Sequence, residues 1–72
     1  MQRAAEAGLG ITYLAMFGEV TLRRLTGFDA TKEWSIGVTI DGNPYLQIDK
    51  DLLTAINRLI KEAEEVKDVS IN

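Results

Sequence analysis

Few residues on this chain could do chemistry, and those few are carboxylates, hydroxyls and a pair of adjacent arginines. Asp41 to Asp51 has the acidic density of a calcium loop. An EF-hand, however, needs oxygen ligands at positions 1, 3 and 5, glycine at 6 and glutamate at 12, and position 5 here is Tyr45. A hairpin turn followed by a helix cap accounts for these residues better. Asp49 and Asp51 stand where a helix begins, so capping is their expected role and no metal ligand is assigned. Gly8-Leu9-Gly10 has neither the third glycine nor the preceding strand of a dinucleotide fingerprint, and no Gly-Lys-Ser/Thr follows to cradle a phosphate.

Nucleophilic chemistry fares no better. The chain contains neither histidine nor cysteine, which removes the usual neutral-pH proton shuttle, the thiolate nucleophile and the commonest metal ligands. Ser35 therefore has no activating base, and Lys32 has no evident apolar pocket to lower its pKa. Asp29, Glu33 and Asp41 lie near strand ends, but no pairing between them can be inferred. The expectation is a protein that is not an enzyme, with no catalytic, cofactor-binding or metal-binding residues and no cofactor.

The remaining polar constellation is basic. Arg23, Arg24 and Lys32, with Tyr45 and Trp34 nearby, could form a sheet surface on which single-stranded bases stack. Against this stand a net charge of -3 and a pI near 4.7, which disfavour phosphate backbones as partners. The acidity is concentrated late: residues 1–40 hold four acidic and four basic residues, and residues 41–72 hold seven and four.

These residues must be positioned by elements that the hydrophobic pattern announces. From Asp49 to Lys67, Leu52, Leu53, Ile56, Leu59, Ile60, Ala63 and Val66 recur at helical spacing and predict an amphipathic helix over about 50–67, with Asp49 as its N-cap. Its other face carries Arg58, Lys61, Glu62 and Glu65 at spacings that let opposite charges meet. Glu33 to Asp41 alternates strictly, placing Trp34, Ile36, Val38 and Ile40 on one side of a strand, with core packing expected for Trp34. Pro44 to Ile48 reads as its hairpin partner. An odd loop between them would keep Leu46 and Ile48 on the core face, whereas a two-residue loop would reverse the parity.

Upstream, Val20 to Leu25 is a third strand. Gly18-Glu19 could make a type II′ turn that pairs it with a fourth strand from Ile11 to Phe17. The competitor is an N-terminal helix from Gln2 to about Phe17, favoured by its alanines but opposed by Gly8, Gly10, Ile11 and Thr12. With that helix, the element order would match double-stranded RNA-binding domains. The likeness ends at Asp49-Lys50-Asp51, where such domains present a basic cluster, so no family is assigned. Thr26 to Lys32 reads as a loop, and Val69 to Ile71 as a closing edge strand or a frayed tail.

The expected fold is therefore one α+β domain over residues 1–72: a small antiparallel meander of three to four strands packed on one C-terminal amphipathic helix, with a short N-terminal helix as the variant. One helix is about 10 Å across and strands are spaced about 4.8 Å apart, so a single helix leaves apolar sheet uncovered. In the four-strand register the uncovered residues are Leu14, Met16 and Tyr45, the expected partner-binding surface. The corresponding function is a small protein-interaction or assembly module that binds itself, as a homodimer or larger, or another protein. The alternative is single-stranded nucleic-acid binding through Arg23, Arg24 and Lys32. No apolar run is long enough to span a membrane, and Glu6 interrupts any leader, so a cytoplasmic setting is expected.

Overall fold

The alternation that begins at Glu33 becomes β2 (Lys32–Ile40), the middle strand of a three-stranded antiparallel sheet ordered β1-β2-β3. A computed structural model describes residues 5–26 and 32–71. On one side of β2 lies β1 (Glu19–Thr26), with Val20 opposite Val38, Leu22 opposite Ile36 and Arg24 opposite Trp34. On the other lies β3 (Asn43–Asp49), with Tyr45 opposite Val38 and Gln47 opposite Ile36. Directly opposed residues share a sheet face, so these pairs define an inner face, and their sequence neighbours an outer one.

The inner face is covered by α2 (Leu52–Ile71), which packs on β2 and β3. Its buried stripe is Ala55, Ile56, Leu59, Ile60 and Ala63, set against Ile36, Val38 and Ile40. Burying each of these isoleucines and leucines stabilises the fold by roughly 1.5–3 kcal/mol. The helix runs beyond residue 67, so Val69 to Ile71 belong to it rather than to an edge strand or a tail. Its N-cap is Asp51, not Asp49. Asp51 Oδ2 accepts the Thr54 amide hydrogen at 3.1 Å, three residues on, as an N-cap should. Asp49 sits one step earlier, accepting the Asp51 amide hydrogen at 2.8 Å and a hydrogen bond from Arg58 Nη1 at 3.1 Å.

Two larger expectations also fail, each for a traceable reason. The segment 11–17 is not a fourth strand, because α1 (Ala7–Leu14) is helical and packs on α2. Helical spacing gathers Ala7, Ile11 and Leu14 against α2, and buried Gly10 lies on the packed side. Tertiary burial of that stripe outweighs the weak helix propensity of its glycines. Gly18-Glu19 accordingly makes no hairpin turn. A Cβ at Gly18 would stand 1.8 Å from the Thr39 carbonyl oxygen, so glycine is needed for a close backbone crossing at the entry to β1.

The second correction is the β2–β3 register. The turn is the two-residue pair Asp41-Gly42, with φ of 52° and 83°, and Ile40 faces Asn43. An Asp-Gly pair with both φ positive is the type I′ turn that matches strand twist. It sets Tyr45 on the inner face and turns Leu46 and Ile48 outward, the reverse of the odd-loop expectation. The loop expected over Thr26 to Lys32 is shorter than read, since Thr26 and Lys32 themselves pair at the end of the ladder, and residues 27–31 lie outside the described region.

Candidate functional site

Among the described residues, no three Asp or Glu side chains gather as a metal site would require. What does emerge is uncovered sheet. The molecule is only 15 Å deep along its shortest axis, the depth of one helix layer on one sheet, and a further layer would add about 10 Å. Both helices contribute to the same inner core, so among the described residues no element lies over the outer face.

That face carries Leu25 from β1 and Leu46 and Ile48 from β3, the latter two 55% and 44% exposed. At its centre Gly37 has no side chain, and Thr21 and Leu46 close over its backbone from either side. The inner face is also incompletely covered, because α2 lies over β2 and β3 and only Val20 of β1 joins the core. Leu22, on the same side of β1, remains 42% exposed.

The three residues expected to bind a partner part company. Leu14 is wholly buried between α1 and the core, so it offers nothing to a partner. Tyr45 is half-buried on the inner face and packs against the core rather than standing uncovered. Met16 alone is open, 78% exposed in the turn between α1 and β1. Leu14 was misplaced by reading α1 as a strand over 11–17, and Tyr45 by the parity error of an odd loop after β2.

The register divides the basic trio, with Arg24 and Lys32 at inner-face positions and Arg23 at an outer-face one. Arg23 pairs with Ser35 on the outer face, whereas Arg24 pairs with Trp34 on the inner one. The Arg24 guanidinium lies 5.0 Å from the Trp34 ring centroid, a cation–π contact that occupies both groups. Trp34 is half-buried under that arginine and stands outside the core cluster, which corrects its expected core role. Lys32 is opposite Thr26 at the end of the ladder. Sequence reasoning missed Leu22, Leu25, Leu46 and Ile48 as surface residues, although Asp41-Gly42 was the signal that would have turned the last two outward.

Polar contacts elsewhere fasten elements together. Tyr13 Oη donates a hydrogen bond to Glu64 Oε2 at 2.8 Å, linking α1 to α2, and the Tyr13 ring meets Phe17 edge-on at 5.2 Å. The bond to Glu64, then burial and the negative charge of that carboxylate, raise the Tyr13 pKa above the usual tyrosine value. Asp49–Arg58 at 3.1 Å and Asp41–Lys67 at 4.0 Å are exposed ion pairs of the kind worth little individually. Comparison with protein-family models, curated proteins and solved structures finds no match for this chain. No helix among the described residues is long and apolar enough to cross a membrane.

Proposed function

We propose that this chain is a small non-enzymatic protein-interaction module that associates with itself. The observation that supports it is the uncovered apolar sheet: Leu25, Leu46 and Ile48 outward, and Leu22 beside an inner face that α2 only half covers. In a domain this small the stability margin is thin, and exposed apolar patches of this kind usually mark interfaces. The lack of histidine and cysteine supports a binding rather than a chemical role, and a cysteine-free chain suits a reducing, cytoplasmic setting. A closed two-fold dimer is the commonest arrangement that buries such a surface without forming fibres.

Light scattering at micromolar concentration is the direct test. The expected mass is at least twice the 8.0 kDa of one chain. A clean monomer at high concentration overturns the reading.

A further inference from the structure

The free edge of β1 carries a pattern that selects one partner and one register. The strand order leaves β1 at the rim of the sheet, paired among the described residues only with β2. Its outward backbone amides and carbonyls are thus available to another strand. β3 is the other rim, but it contains Pro44, which has no amide hydrogen, and its single charged residue, Asp49, is already bonded to Arg58. On β1, by contrast, Glu19 and Arg23 are exposed and have no ion-pair partner among the described residues.

If a second copy adds antiparallel to this edge about a two-fold axis normal to the sheet, inner faces stay on the same side. Opposed residues then have the same parity, so the possible registers can be enumerated by the residue on the axis. With Arg23 or Arg24 on the axis, two guanidinium groups face each other directly, which opposes pairing. With Leu22 there, Val20 faces Arg24 and Glu19 faces Leu25, so apolar groups meet charged ones. With Val20 or Leu25 there, only a three-residue ladder forms within β1, and with Glu19 or Thr26 only a single self-pair. Thr21 on the axis resolves every conflict: Glu19 faces Arg23 twice, Val20 faces Leu22 twice, and Thr21 faces its own copy.

We infer that a second copy of this chain adds to the β1 edge in this Thr21-centred register, making a continuous six-stranded sheet held by two Glu19–Arg23 pairs and two Val20–Leu22 pairs. The inference rests on the self-association proposed above and states where it occurs. Leu22 is then covered from the side that α2 does not reach, and the Val20 of each copy carries its core toward the other.

Thr21→Cys provides the register test, because the chain has no cysteine of its own. Opposed Cα atoms of an antiparallel pair lie about 4.5–5.5 Å apart, within the span of a disulfide. Under mild oxidation the expected product is a covalent dimer, while Leu46→Cys stays uncrosslinked. Charge reversal is the second arm. Glu19→Arg or Arg23→Glu alone turns both attractions into repulsions and should weaken dimerisation by roughly tenfold or more, and the double variant should recover most of it. An oligomeric wild type whose affinity is indifferent to both reversals, or that crosslinks through Leu46→Cys and not Thr21→Cys, overturns the β1 register and leaves self-association standing. A monomeric wild type overturns both. If the reversals prevent folding, the Thr21→Cys result decides alone.

Discussion

β1 and β2 are neighbours of nearly equal length, eight and nine residues, and both are rich in strand formers, yet their burial is opposite. Ile36, Val38 and Ile40 of β2 are essentially sealed, while Leu22 and Leu25 of β1 are exposed. Their apolar content does not account for the contrast. β2 has a strand on each side and α2 above it, whereas β1 has one strand beside it and little above. Burial energy follows the number of layers and neighbours a residue acquires, so two similar strands become a stabilising centre and an available rim.

The junction between the two should be the most sensitive point. Gly18→Ala would drive a methyl group into the Thr39 backbone, where no flexible side chain can yield. The expected loss is at least about 3 kcal/mol, at the top of the overpacking range, seen as a collapse of the denaturant midpoint. A Gly18→Ala protein with wild-type stability would show that β1 is not held against β2 by this crossing. Ile56→Ala should follow, costing about 2–4 kcal/mol through the cavity it leaves beneath β2.

Tyr13→Phe removes one hydrogen bond at the half-exposed α1–α2 contact and should cost under about 1 kcal/mol at neutral pH. Its pH dependence is the sharper readout. The folded-state pKa of Tyr13 is raised, so its contribution is fully present below the ordinary tyrosine value near 10. It is lost as pH rises through the folded value, since the unfolded chain then releases the proton first. Wild type should therefore lose stability relative to Tyr13→Phe above about pH 10, and parallel alkaline curves would contradict the Tyr13–Glu64 link.

The smallest effect belongs to the outer face. Leu46→Gln should change unfolding free energy by no more than about 0.5 kcal/mol, because the side chain is already over half exposed. A loss comparable to Ile56→Ala would mean that a second copy covers the outer face over Leu46 and Ile48 instead of adding to the β1 edge.

The helix up to residue 67 and the central strand could be read from the chain because each carries its own periodicity, 3.6 and 2, over a long run, whereas the last turn of the helix to Ile71 could not. The outward turn of Leu46 and Ile48 was legible in Asp41-Gly42 but hung on a choice of one residue in loop length. The candidate surface was less accessible, since a strand read in place of α1 and a parity error after β2 put Leu14 and Tyr45 where Leu22, Leu46 and Ile48 stand exposed.

Residue order settled the α+β class, the antiparallel meander and the face that α2 buries, because local periodicity decides which side of an element is apolar. Tertiary packing decided the rest. Residues 7–14 carry glycines and β-branched residues that locally favour either state. They are helical because that geometry alone brings Ile11 and Leu14 onto α2, and so β1 became the rim of the sheet instead of an inner strand.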